Sequence, residues 1–151
     1  MQRMNHFAVA PDGIAALISV EKYVHNSGLD HKLIALVKIR VSQMNGCAYC
    51  LHMHIEEAHK LGESSTRLYL LDAWDESKLY SPQERAALAW AESLTKIAAT
   101  RAPDHVYEEA RKQFSEKELA DLSIAIAMIN AWNRLCIGVR AEHPADLAEA
   151  A

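Results

Sequence analysis

Residues 30–62 read DHKLIALVKIRVSQMNGCAYCLHMHIEEAHKLG, and the fold class follows from how that run is punctuated. Asp30 is a helix cap, and the apolar residues after it (Leu33, Ile34, Leu36, Val37, Ile39, Val41) fall on most sides of a helical wheel. The run over 30–44 is therefore predicted to be a central, well-buried helix. Asn45-Gly46 interrupts it between two helical patterns rather than between two strand-like ones, so it marks a helix break and not a hairpin. A further helix is predicted from Cys47 to Leu61, with Gly62 as its stop.

The same grammar extends in both directions. Asp12 is placed to cap a first helix carrying Ile14, Leu17, Ile18 and Val24, with Gly28 at its end. A short helix is expected over 66–71, then a looser stretch over 72–80. Ser81-Pro82-Gln83-Glu84 combines a serine cap, proline at the first helical position and glutamate three residues after the cap. The helix it starts carries Ala87, Trp90, Leu94 and Ile97. Asp104 is expected to cap the next, with Val106, Ala110 and Phe114 inward. Ser115 and Glu118 repeat the capping box before a long apolar helix over 116–139, and residues 141–151 read as frayed. No segment alternates polar and apolar residues as a strand would. The expectation is an all-α chain with residues 1–151 in a single domain.

Bulk properties narrow the function. At 151 residues, 50% of them hydrophobic and 24% charged, the chain is long enough to bury a core. A net charge of −4 offers no basic field for nucleic acid or anionic lipid. The amino-terminal residues make a poor signal peptide, and no later run is expected to approach the roughly 18 apolar residues of a membrane span. Three cysteines are too few for a secreted disulfide scaffold. The expected compartment is the reducing cytoplasm, where a close cysteine pair points to redox or metal chemistry.

That pair is Cys47 and Cys50. At about 100° per helical residue, Cys50 lies about 60° from Cys47 and His54 about 20°, so all three share a face that Ala58 continues. His52 and His59 point away. Thiols at i and i+3 across a first helical turn can close a disulfide with little backbone movement. The helix N-terminus favours thiolate, and an imidazole four residues beyond Cys50 can take or return its proton. Helix position alone makes Cys47 the more acidic thiol. A zinc site is a weaker reading, because two Cys and one His lack a fourth ligand, with Cys136 and His143 the only remote candidates. Cys136 by itself reads as core filling. Asn130, Asn133 and Arg134 form a polar face on the last helix that calls for a hydrogen-bond network, and Trp74, Trp90 and Trp132 read as core or subunit contacts rather than a substrate box.

The motif Asn45-Gly46-Cys47-Ala48-Tyr49-Cys50-Leu51-His52-Met53-His54, with Ala58 and Lys60-Leu61-Gly62, resembles the alkylhydroperoxidase AhpD-like group of the carboxymuconolactone decarboxylase superfamily. Looser likeness runs through residues 80–90 and 129–134. The resemblance implies an all-helical fold, a homo-oligomer (trimer or hexamer), and reduction of organic hydroperoxides through the cysteine pair with no organic cofactor or metal. It assigns the attack on peroxide to Cys50, resolution of the sulfenic acid to Cys47, and the proton relay to His54. A thiol or lipoyl-type donor would re-reduce the pair. The decarboxylase branch lacks the cysteines. This chain departs from the pattern at Ala35, where well-described members carry the relay glutamate, and at Tyr49, where some carry histidine. Glu84 is the candidate replacement acid, although its part in a capping box explains it equally well. A disulfide reductase or redox sensor, and a decarboxylase-like enzyme using His54 as base, remain as alternatives.

Overall fold

The structure is a computed structural model and describes residues 2–143. Among the described residues the chain forms nine α-helices and a 3-10 turn, with no strand. In order they are α1 (His6–Val9), α2 (Pro11–His25), α3 (His31–Asn45), α4 (Ala48–Lys60), α5 (Ser65–Tyr69), the turn Leu71–Ala73, α6 (Pro82–Thr95), α7 (Ile97–Thr100), α8 (Asp104–Gln113) and α9 (Glu116–Val139). From residue 144 onward the expected frayed tail lies outside the described residues.

The helix α3 sits at the centre because it is apolar all round. Leu33, Ile34, Val37 and Val41 join a cluster with α6, α8 and α9, built around Leu122, Ile126, Ile129 and Phe114. On the other side Ala35, Leu36 and Ile39 join Ala58, Leu68, Leu71, Tyr80 and Leu88. Polar residues on such a helix need partners. Lys38, only 8% exposed, meets Glu21 of α2 at 2.6 Å.

The last helix closes the core from the opposite side. A window of 18 of its residues has mean hydropathy 1.4, enough by length and composition to cross a membrane, which corrects the expectation that no run comes near that length. Its apolar face packs on α2, α3 and α6. Buried Asp121 accepts from Tyr23 Oη at 2.7 Å and from Lys117 Nζ at 2.6 Å. Both expected capping boxes form: Ser81 Oγ accepts from the Glu84 amide and Ser115 Oγ from the Glu118 amide.

Several boundaries differ from the sequence reading. Pro11, not Asp12, opens α2, because proline's fixed φ suits the first helical position; Asp12 lies inside the first turn. Before it stands the short α1, whose Asn5 cap accepts from Phe7 and Ala8 amides. Pro103 precedes α8 in the cap position expected for Asp104. Ile97 belongs to α7 beyond the end of α6 and is exposed, so it does not extend the α6 core face.

Candidate active site

The site is built where α3 hands over to α4. Gly46 adopts φ 70°, the left-handed conformation that ends helices. Its amide donates to Gln43 O at 3.2 Å and the Cys47 amide donates to Ser42 O at 3.0 Å, the paired bonds of a Schellman closure. Cys47 then serves the next helix as well. Its sulfur accepts from the Cys50 amide at 3.3 Å, in the N-cap position of α4. One residue therefore closes α3 with its peptide group and caps α4 with its side chain.

The polar face of α9 holds this junction. Asn45 Nδ2 donates to Asn130 Oδ1 at 3.0 Å and to Asn133 Oδ1 at 2.8 Å. Fully buried Asn133 donates to Ser42 Oγ at 3.1 Å, and Asn130 Nδ2 to Thr95 Oγ1 at 3.1 Å. Arg134 Nη1 donates to Asn130 O at 2.8 Å. This is the network the Asn130, Asn133 and Arg134 spacing called for. It ties the last turn of α3 to α9, two residues ahead of the first cysteine.

Cys47 and Cys50 are joined as a disulfide with Cα atoms 5.4 Å apart, inside the range that bridging tolerates. Both are buried, as are His54 and Ala58 further along the same face of α4, whereas His59 is exposed. Gly62, at φ 82°, and Glu63 close the far end of α4 through bonds to His59 O and Ala58 O.

Cys50 and His54 open on a cleft of about 310 Å³ whose other walls include Glu21, Lys38, Tyr49, Glu57, Trp132 and Cys136. Its rim carries Phe7, Ile18 and Met53, each at least partly exposed. His54 Nδ1 lies 3.0 Å from Glu57 Oε2. The hydrogen bond from His54 is the main cause holding the Glu57 carboxyl below its usual range, against burial that pushes it up. A carboxylate on Nδ1 orients the ring and leaves Nε2 as its basic nitrogen. Deeper in the cleft, Glu21 accepts from Lys38 Nζ at 2.6 Å and from Trp132 Nε1 at 3.0 Å.

Cys47, Cys50 and His54 are thus brought together, and Glu84 is not. Its carboxylate accepts from the Ser81 amide at 2.7 Å and is ion-paired with Arg67, so the capping reading of that residue is the one the geometry supports. Glu84 does not line the cleft. Nor does Ala35, which packs with Leu36, Leu88 and Ala58. The acid beside the histidine is Glu57, which the sequence reading missed although its i, i+3 spacing from His54 was available as a signal. Glu21 and Lys38 had no local signal, since their pairing depends on the packing of α2 on α3. Trp132 packs against the core as expected and also forms a cleft wall, with its ring 6.4 Å from that of Phe7.

Cys136 is a buried member of the core cluster, as expected, and stands close to the pair as well. Its sulfur and those of Cys47 and Cys50 all lie within 4.8 Å of one another, the group of ligating side chains close enough to share a metal ion among the described residues. The trio contributes only sulfur, the first two are bonded to each other, and a structural zinc site wants a fourth donor. His143 is not in that group; its ring lies 5.7 Å from that of His52.

A buried disulfide at a helix start with an imidazole and a carboxylate beside it, on an all-helical frame, can be compared with known proteins. Residues 11–93, more than half of the chain, match the Carboxymuconolactone decarboxylase family. The chain belongs to that family. It is 43% identical over 138 residues to the uncharacterized protein YdfG of Bacillus subtilis, spanning 91% of this chain and 94% of YdfG. The crystal structure of ATU0492 from Agrobacterium tumefaciens, a protein of unknown function described as a candidate antioxidant defence protein AhpD, superposes with a TM-score of 0.93. The identity there is 42%, over 95% of this chain and 99% of that one. The fold alone is shared with an AhpD-core, peroxidase-related protein from Ralstonia eutropha, at TM-score 0.80 and 18% identity over 91% of this chain and 73% of that one. Within the carboxymuconolactone decarboxylase family the chain has the AhpD-like all-α fold, and its cysteine pair fits antioxidant chemistry.

Proposed function

We propose that the chain is a thiol-dependent peroxidase that reduces organic hydroperoxides through Cys50, Cys47 and His54. The observation that carries this reading is the disulfide between Cys47 and Cys50 with Cys50 and His54 opening on one cleft. Cys50 thiolate attacks the distal peroxide oxygen and becomes a sulfenic acid, while the alcohol leaves with a proton supplied by His54. Cys47 then attacks the Cys50 sulfur, the S–S bond forms as the S–O bond breaks, and the proton that Cys47 gave up returns to the hydroxyl, which departs as water. Its position at the helix N-terminus, next to the Cys50 amide, favours the thiolate that this step needs. That division of labour reconciles helix position with family assignment: the thiol at the helix N-terminus resolves, and the thiol that shares the cleft with His54 attacks. Two thiols of a donor, of lipoyl or small-protein type, return the disulfide to the dithiol.

Glu57 supplies beside His54 the carboxylate that is missing at Ala35, which supports peroxidase turnover over a purely reductase or sensor role. Trp132, Phe7, Ile18 and Met53 give the cleft an apolar wall and rim suited to the organic half of a hydroperoxide. The exposed apolar side chains Phe7, Ile18, Tyr23 and Met53 also support assembly into a trimer or hexamer, which light scattering would measure. We place the protein in the reducing cytoplasm, where the donor thiols the cycle consumes are present.

The test is consumption of cumene hydroperoxide with a dithiol donor. Wild-type protein should exceed free dithiol, and Cys50→Ser should fall to the level of free dithiol. Activity retained in both Cys47→Ser and Cys50→Ser would reject the reading and point to His54 acting as a base.

A further inference from the structure

The third cysteine is not accounted for by that cycle. Cys136 comes from α9, almost the other end of the chain, yet its sulfur lies within 4.8 Å of both sulfurs of the disulfide. It is 5% exposed. It lines the cleft that holds Cys50 and His54, and it also lines a second cavity, of about 190 Å³, that holds Cys47, Gly46 and Arg140. Cys136 and Tyr49 line both, with Cys50 on the first and Cys47 on the second. A thiol placed only to fill a core would need apolar neighbours and nothing more; this one also lies within 4.8 Å of both sulfurs of the redox pair.

We infer that Cys136 is a reserve resolving thiol, able to bond to Cys50, or to Cys47, when the other member of the pair is not available. The inference rests on the redox reading of Cys47 and Cys50. In the step at issue, Cys136 thiol attacks the Cys50 sulfenic acid. An S–S bond forms, the S–O bond breaks, and the hydroxyl leaves with the thiol proton as water. The sulfurs start no more than 4.8 Å apart and close to the roughly 2 Å of a disulfide.

The same surroundings explain why Cys136 is a reserve. Burial pushes the Cys136 thiol up, and Cys47 stands at the start of α4 on the same turn as Cys50, so Cys136 loses the race for Cys50 as long as Cys47 is free. When Cys47 is held by the donor as a mixed disulfide, a Cys50 sulfenic acid would otherwise wait for a second peroxide and go on to the irreversible sulfinic acid. Capture by Cys136 keeps it on the reversible side.

Diamide tests this without requiring peroxide turnover, since it oxidises neighbouring thiols directly to a disulfide. Reduced Cys47→Ser protein is treated with one equivalent of diamide, blocked, and cut with trypsin without reduction. Cleavage after Arg40, Lys60, Arg134 and Arg140 puts Cys50 in the peptide 41–60 and Cys136 in 135–140, each the only cysteine of its peptide in this variant. The expected product is those two peptides joined, lighter than their sum by a pair of hydrogen atoms, with loss of the free Cys136 thiol. Cys50→Ser protein should join Cys47 to Cys136 in the same way and serves as an independent reading should the first variant not fold by circular dichroism. If wild-type protein closes the Cys47–Cys50 bridge but neither variant joins Cys136, the reserve role is wrong and the peroxidase reading stands. A wild-type protein that closes no bridge defeats the peroxidase reading first.

Discussion

Glu57→Gln is the perturbation that separates a working relay from a fortuitous contact. The substitution keeps an oxygen able to accept from His54 and removes the charge. The His54 side chain is 6% exposed and the Glu57 side chain 50%, so the pair is neither fully buried nor free in water. A half-exposed pair is discounted toward the surface range, which gives about 1 kcal/mol. That converts to about a fivefold loss of rate at neutral pH. The sign of the pH effect follows from the Glu57 carboxyl being held below its usual range, chiefly by the His54 hydrogen bond. A group depressed on folding stabilises the native state above its unfolded pKa of about 4.3, and that stability is lost as the pH falls through the folded value. The assay is therefore double: cumene hydroperoxide consumption near pH 7, and urea unfolding of both proteins at neutral and acid pH. The stability gap between wild type and variant should hold from neutrality down to about pH 5 and close below the unfolded value. A rate unchanged by the substitution, together with a gap that ignores pH, would refute the relay.

Glu84→Gln should leave the peroxide rate within about twofold of wild type while costing about 1 kcal/mol in urea unfolding through the lost Arg67 ion pair; a tenfold slower enzyme would return Glu84 to the chemistry. Asp121→Asn should destabilise by about 1–3 kcal/mol at neutral pH. Burial pushes the Asp121 carboxyl up, but hydrogen bonds from Lys117 and Tyr23 outweigh it and hold it low, so this contribution too is present above about pH 3.9 and lost as the pH falls through the folded value. Acid titration of the unfolding midpoint checks it. Asn133→Leu removes the donor to Ser42 Oγ and one acceptor of Asn45 Nδ2 inside the core. The expected loss is about 2–3 kcal/mol, seen as a lower urea midpoint at unchanged slope; a loss under about half a kcal/mol would show that the network does not hold the turn.

What the sequence disclosed follows the range of the forces involved. Asp30, Asn45-Gly46, Gly62 and the two capping boxes act within one or two turns, and their positions could be read directly. Pro11 outranked Asp12, and Pro103 took the cap position expected for Asp104, because proline's restriction on its own and its neighbour's backbone outweighs a side-chain preference. The common face of Cys47, Cys50 and His54 is likewise a local consequence of helical pitch. The rest of the cleft is not local. Glu21 and Lys38 meet because α2 packs on α3, and Trp132 and Cys136 arrive on α9, about a hundred residues away along the chain from the helices they complete. No periodicity records such a meeting. Asn130 and Asn133 gave a partial signal, since polar groups on an apolar helix require partners, but their spacing could not name Asn45 and Ser42.

The placement of the disulfide also bears on how the cycle can run without disturbing the fold. Cys47 and Cys50 enclose a loop of only four residues, and the chain-entropy relation gives such a closure about 2 kcal/mol, below that of a long-range crosslink. The handover from α3 to α4 does not depend on the S–S bond alone. The Schellman pair at Gly46 and Cys47, together with the Asn45–Asn130–Asn133–Ser42 network, holds the last turn of α3 in either redox state, and the Cys47 sulfur can cap the Cys50 amide as thiolate. In the proposed cycle, a bond that breaks in every turnover thus shares its structural duty with contacts that persist. Part of the stability rests on hydrogen bonds outside the disulfide, so Asn133→Leu should cost at least as much as reducing the disulfide.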